Sequence, residues 1–204
     1  QPYLAIIKAY AKKNGNSAEW IRAILAENQI KTVNQNGEQA FISIRKHFDT
    51  SIKEANNIEK SILNNYYAMF LWSNAHNYKT KSPDNYLTAA GTRKLQIIDS
   101  IFKESIKNEN LLINTKSDSY GNLFHVIKNL TLTPTIYHFL SYQYLDFLNQ
   151  VRKSKEYDTL YLRILSLNKK HEFNDATSYL LTKDISMNRY SLEGWVPKVE
   201  QIIS

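Results

Sequence analysis

The residues best suited to chemistry are the five histidines, His47, His76, His125, His138 and His171. Imidazole titrates near neutral pH and binds metals, so each is a candidate base or ligand. None stands in an HExxH or ExxH pair, the spacings that bring zinc or di-iron ligands together on one helix. A metal site would have to be assembled from distant residues; as helix-end or partly buried side chains the histidines need no such role. Neither Arg45–His47 nor Arg163–His171 has the Arg-to-His spacing that some helical-bundle RNases use. The chain has no cysteine, which excludes disulfides, thiolate catalysis and cysteine-ligated zinc or iron–sulfur centres. Its five glycines stand apart, so there is no phosphate-cradling loop, and no GxSxG elbow occurs. Asp146 and Glu156 form an acid–base pair only if the fold brings them together. On this reading no catalytic residue, metal ligand or cofactor is assigned.

Two other groups of residues could bind. Trp72, His76 and Tyr78 follow an aromatic run that starts at Tyr66, and converging aromatic and polar groups at a helix end are what a pocket requires. Together with His138 they are the candidate pocket or interaction residues. The run itself, at helical spacing, reads more simply as core. The second group is basic: Arg45 and Lys46, then Arg152, Lys153 and Lys155, then Lys169 and Lys170. These are candidate anion or nucleic-acid contacts, with tyrosines nearby that could stack on bases. Most of the basic clusters fall at expected helix C-termini, where each cation complements the helix dipole by about 0.3–1 kcal/mol. No helix carries a continuous basic stripe. Asn129-Leu130-Thr131 matches a glycosylation acceptor, a short pattern that arises often by chance.

The elements that must position these residues are helices. Glycine (five) and proline (four) are too scarce for a turn-rich β design. Residues 3–13 place Leu4, Ile7 and Ala11 on one stripe, with Ile6 and Tyr10 alongside, and Asn14-Gly15 stops that helix. Ser17 is a candidate N-cap for a second helix that buries Trp20, Ile21, Ile24 and Leu25 and ends near Asn28. Residues 29–37 are expected to be a loop. A hairpin turning at Asn36-Gly37, as in a winged helix, is the alternative, but its flanks do not alternate cleanly. Phe41, Ile44, Phe48, Ile52 and Ala55 trace a helix face, with Asp49 or Thr50 offering a fresh cap. A central helix over 50–78 follows, one-sided at first and apolar all round from Tyr66 to Trp72. Met69, Phe70 and Trp72 are therefore expected among the most buried residues. Ser82-Pro83-Asp84 starts a helix that runs to about Asn108, with Gly91 inside it. Residues 109–121 are the longest loop candidate and the place where two subdomains would part. A short helix over 122–130 comes next. Thr133-Pro134 then starts a helix whose face is Ile136, Leu140, Tyr144, Phe147, Leu148 and Val151. Further helices are expected at 157–169, around Ala176 to Leu180, and from Leu192, with Pro197 in its first turn.

The fold class expected is all-α: an irregular multi-helix bundle or short α-solenoid of about eight to ten helices, in a single domain over 1–204, with at most a minor hairpin near 29–45. No apolar run reaches the roughly 20 residues that span a bilayer. The chain starts at Gln1 without a Met, which leaves a processed exported protein and an excised fragment both open. A large helical core without legible chemistry points first to a non-enzymatic protein-interaction module: an adaptor, an immunity-type inhibitor or a secretion-system component. The net charge of +7 makes a basic nucleic-acid-binding protein the alternative. An enzyme built from scattered residues near His76 or His138 is the third reading. Nonspecific DNA or RNA binding that weakens steeply with salt would select the second reading, and no binding at low salt would remove it.

Overall fold

The structure, a computed structural model, describes residues 2–35, 37–74, 91–124 and 135–152. The described residues are overwhelmingly helical and form an all-α multi-helix bundle. The chain divides into two compact units, Gln1–Gln143 and Tyr144–Ser204.

In the first unit, α1 (Pro2–Lys13) and α2 (Ser17–Asn34) form a tight hairpin. The expected stop at Asn14-Gly15 is a Schellman turn. Asn16 N donates to Ala11 O at 2.9 Å, Gly15 N donates to Lys12 O at 3.3 Å, and Gly15 takes the left-handed φ of 66° that the turn requires. The N-cap of α2 is Asn16 rather than Ser17: its Oδ1 accepts from Glu19 N at 3.1 Å. Ser17 is the first helical residue, and its hydroxyl is used elsewhere.

α2 does not end near Asn28. It continues through Gln29–Asn34, so the expected loop shrinks to the link before Gly37, and no hairpin forms near 29–45. The buried Asn28 and Trp20, Ile21, Ala23 and Ile24 lie on the packed side of α2, and Thr32 Oγ1 donates back to Asn28 O at 3.1 Å. Beyond it Thr32, Val33 and Asn34 are exposed, and the helix closes with Gln35 N donating to Lys31 O at 3.1 Å.

α3 (Gly37–Glu54) buries Phe41, Ile44 and Phe48 as its periodicity predicts, and runs through Asp49 and Thr50 without a new cap. The single 50–78 helix is where expectation fails most clearly. The chain breaks at Ala55-Asn56, and α4 (Asn57–Ser73) starts afresh. The cause is a capping box. Asn56 Oδ1 accepts from Ile58 N at 3.0 Å and Glu59 N at 2.9 Å, while Glu59 Oε2 accepts from Asn56 N at 2.8 Å. Asn-x-x-Glu was present in the sequence but masked by the apolar run that follows it.

α4 is also less enclosed than that run suggests. Ile62, Leu63, Asn65, Ala68 and Leu71 are sealed, whereas Met69, Phe70 and Trp72 are half-buried. Phe70 lies over the α3 aromatics, stacked on Phe41 at 5.2 Å and tilted against Phe48 at 6.0 Å, with Tyr67 stacked on Phe48 at 5.1 Å. α5 (Gly91–Ser105) packs along α4 and seals Ile98 and Phe102.

The expected loop at 109–121 is largely helical, comprising α6 (Glu109–Ile113) and a 3₁₀ segment (Ser117–Phe124). Leu112 and Leu123 are buried, and Leu123 O accepts from Tyr66 OH at 2.6 Å. α7 (Ile136–Arg152) carries the predicted face, with Ile136, Leu140, Tyr144, Phe147, Leu148 and Val151 all buried. Among the described residues of the first unit, α4 reaches α7 through Asn65 Nδ2, which donates to Leu140 O at 3.2 Å. The helices expected at 157–169, near 176–180 and from 192 lie outside the described residues, as do the helix start at Ser82-Pro83-Asp84, the part of the 122–130 helix beyond Phe124, and Pro134.

Glu59 does more than cap. Its carboxylate is only 4% exposed and also accepts from Lys12 Nζ at 3.0 Å and Ser17 Oγ at 2.7 Å. It thereby ties the start of α4 to the α1–α2 hairpin. Removing one partner of a buried charge group costs about 3–5 kcal/mol, and losing a helix cap about 0.5–2 kcal/mol. In urea titrations Glu59→Ala is expected to lose the larger amount and Asn56→Ala the smaller. Equal losses would show that the cap, not the ionic junction, is what Glu59 supplies.

Candidate functional site

The residues singled out by sequence scatter over the fold. Trp72 is half-buried in the last turn of α4, while His76 and Tyr78 lie outside the described residues. His138 is buried in the first turn of α7, its Nδ1 2.7 Å from Thr135 Oγ1 and its ring edge-on to Tyr137 at 6.2 Å. These are local contacts at a helix start. Of the basic candidates, Arg45 is half-buried on α3 and donates from Nε to Tyr67 OH at 3.2 Å; its neighbour Lys46 is exposed. Arg152 ends α7, and Lys153, Lys155, Lys169 and Lys170 lie outside the described residues.

The structure instead assembles a cluster that no local motif announced. His47 on α3 faces Glu27 and Asn28 on α2, and Glu27 faces Lys8 on α1. His47 Nε2 lies 2.8 Å from Glu27 Oε2, and the same oxygen accepts from Lys8 Nζ at 2.9 Å. The Asn28 amide lies 2.6 Å from Nδ1. Lys8 and Glu27 are 19 residues apart, as are Asn28 and His47, one helix hairpin in each case, so spacing along the chain could not reveal the group. The only available signal was a polar residue on each otherwise apolar helix face.

Burial, followed by the positive charge of Lys31, pushes the His47 pKa down to about 4, against the opposing pull of Glu27. The ring is therefore neutral near pH 7. A neutral ring donating from Nε2 to Glu27 must accept at Nδ1, so the Asn28 side chain has to present its Nδ2, which is otherwise buried without a partner. Both ring nitrogens are then engaged, and neither is available to a substrate. Among the described residues no group of His, Asp and Glu is arranged to hold a metal ion. The cluster is a polar clasp across three helices.

The surface of α1 is the more unusual feature. Among the described residues six large apolar side chains are exposed, and four of them lie on this one helix: Tyr3, Ile6, Ile7 and Tyr10. Tyr3, Ile6 and Tyr10 are 79%, 65% and 71% exposed. Their positions are i, i+3, i+4 and i+7, so they form a continuous stripe rather than scattered singletons. The expected inward stripe of Leu4, Ile7 and Ala11 holds only in part: Ala11 is buried, Leu4 half-buried and Ile7 exposed. The inward side of α1 carries lysines. Lys8 reaches Glu27. Lys12 reaches Glu59, donates to Glu54 O at 2.9 Å and sits 4.0 Å from the centroid of the Trp20 ring. Apolar residues surround α1 on every side, so periodicity could not choose its face; the carboxylates of Glu27 and Glu59 choose it.

No protein-family model, curated protein or solved structure matches the chain.

The clasp has a pH consequence. With the folded-state pKa of His47 below the unfolded value, the unfolded chain binds the extra proton between about pH 6.5 and pH 4. His47 thus contributes stability that is present above about pH 6.5 and lost as pH falls toward 4. After discounting for solvent screening the loss is on the order of 1–2 kcal/mol. Urea midpoints measured across this range should fall with acidification, and His47→Gln should flatten that part of the slope. An unchanged slope in the variant would assign the acid sensitivity to other groups.

Proposed function

We propose that the chain is a non-enzymatic protein-interaction module that docks through the outward face of α1. The observation carrying this reading is the orientation of α1: its lysines turn inward to carboxylates, and Tyr3, Ile6, Ile7 and Tyr10 turn out to solvent. Leaving Tyr3, Ile6 and Tyr10 largely in water, with Ile7 39% exposed beside them, forgoes part of a burial worth roughly 1.5–3 kcal/mol for each large apolar side chain when complete. A surface of this kind is normal for a site that another molecule covers and unusual for one that stays bare. Tyrosine is also enriched at the centres of protein interfaces, because it gives a large rigid contact area with a polar tip. The described basic candidates give less support to nucleic-acid binding, since Arg45 is half-buried against Tyr67.

The reading is tested by placing a photoreactive p-benzoylphenylalanine at Ile6 and, as a control, at the exposed Lys107 on the loop after α5. Irradiation in the cells of origin should give a discrete protein adduct from position 6 alone. The partner, once identified and purified, should bind the unmodified chain and lose binding to Tyr10→Ser. Because these side chains are exposed, Ile6→Ser and Tyr10→Ser should change folding stability by no more than about 0.5 kcal/mol. Adducts from both positions, or none from position 6, would remove the proposal.

A further inference from the structure

We infer that the occupant of the α1 face is an acidic amphipathic helix of a partner protein; this rests on reading α1 as a docking face. The shape of the face comes first. Positions 3, 6, 7 and 10 make a seam parallel to the helix axis, and a straight apolar seam on a helix is matched by a second helix laid along it. α1 has 12 residues, about 18 Å at 1.5 Å per residue, so the contact spans two to three turns.

Charge selects the occupant. The α1–α2 hairpin holds five cations (Lys8, Lys12, Lys13, Arg22 and Lys31) and two carboxylates, Glu19 and Glu27. Both carboxylates are already engaged, Glu19 with Arg22 at 2.6 Å and Glu27 with Lys8 at 2.9 Å. α1 itself has no acidic residue. Lys13 lies one turn beyond Tyr10 on the same side and is exposed. At the opposite end of the hairpin, beside the start of α1, α2 presents the 84% exposed Val33, while Lys31 is half-buried beside Glu27. An apolar seam that ends at an exposed cation, on a helix with no carboxylate of its own, calls for an apolar stripe edged by carboxylates.

The same facts disfavour the other occupants. A second copy, packed parallel, would set Lys13 against Lys13; packed antiparallel, it would offer that lysine no carboxylate, because α1 contains none. An anionic lipid surface draws on several cations at about 1 kcal/mol each, and here Lys8 and Lys12 are turned inward to Glu27 and Glu59. A contact of this length lies below the roughly 1,200 Å² of a standard stable interface, so binding is expected in the micromolar range.

The probe is a synthetic three-heptad peptide with Ile at a, Leu at d and Glu at e and g; its control carries Lys at e and g. Fluorescence anisotropy with the full chain should show micromolar binding of the Glu peptide and roughly tenfold or weaker binding of the Lys peptide. Ile6→Ser and Tyr10→Ser should each weaken the Glu peptide at least about tenfold, and Lys13→Glu should weaken it while strengthening the Lys peptide. Equal binding of the two peptides, or binding of neither, overturns the acidic helix; a protein adduct at position 6 would then still leave α1 as a docking face. Two further outcomes overturn both readings. One is binding of phosphatidylserine vesicles that Ile6→Ser abolishes without any peptide binding. The other is sedimentation as a dimer that Ile6→Ser dissociates without any peptide binding.

Discussion

The carboxylate of Glu59 is the constraint on which the arrangement of the first unit depends. It sits at the start of α4, where the unpaired N–H groups and the helix dipole favour negative charge. It accepts from the Asn56 backbone, the Ser17 hydroxyl and the Lys12 ammonium, so both of its oxygens are satisfied. A carboxylate that is only 4% exposed would be costly alone. Satisfied in this way, it does three things at once: it ends the α3 direction and starts α4, it anchors the turn between α1 and α2, and it fixes which side of α1 faces inward. None of these follows from apolar packing, which is indifferent to rotation of a helix with apolar residues all round.

The orientation of α1 then determines what the surface looks like. Lys12 meets Glu59 about one turn from where Lys8 meets Glu27, so two ion pairs on one side of the helix set its rotation like two pegs. Glu27 is itself held by His47 from α3, which links the outer helix to the third layer of the bundle. Each pair is partly exposed on its lysine side, with Lys8 at 30% and Lys12 at 43%, so its share of stability is modest. Its share in specifying one rotation over another is larger, because the alternative would bury Tyr3 or Ile6 only by taking the lysine away from each of two carboxylates.

Much of this architecture was legible in the sequence and some was not, for identifiable reasons. The α1 stop at Asn14-Gly15, most of the inward faces of α2 and α3 and the face of α7 are local periodicity or local turn chemistry, and the structure carries them, with Leu25 and Ile52 only half-buried. The break between α3 and α4 was also written locally, in Asn56 and Glu59, but a long apolar run outweighed a four-residue cap. The helical end of α2 was hidden because Thr32, Val33 and Asn34 have weak helix propensity. Met69, Phe70 and Trp72 are less buried than expected because the densest aromatic sequence is not the best-sealed surface: Phe70 lies on Phe41 and Phe48 and keeps part of its own ring exposed. The His47 clasp and the inversion of α1 depend on pairs 19 to 47 residues apart, and no one-dimensional pattern encodes them.

The same inversion leaves α1 less securely packed than α2, α3 or α4. Ala11 is its one buried apolar side chain among the described residues, and what holds the helix is otherwise ionic and hydrogen-bonded. Local stability follows buried apolar contact, so opening of α1 costs less free energy than opening of α2, α3 or α4, whose faces are sealed by Trp20, Phe41, Ile62 and Leu63. Native-state amide exchange is expected to order the helices in this way, with α1 amides exchanging first and a ligand bound on the outer face slowing them selectively. Protection gained in α1 alone would mean that the partner supplies the apolar cover the fold leaves off, and that docking and the completion of packing are one event.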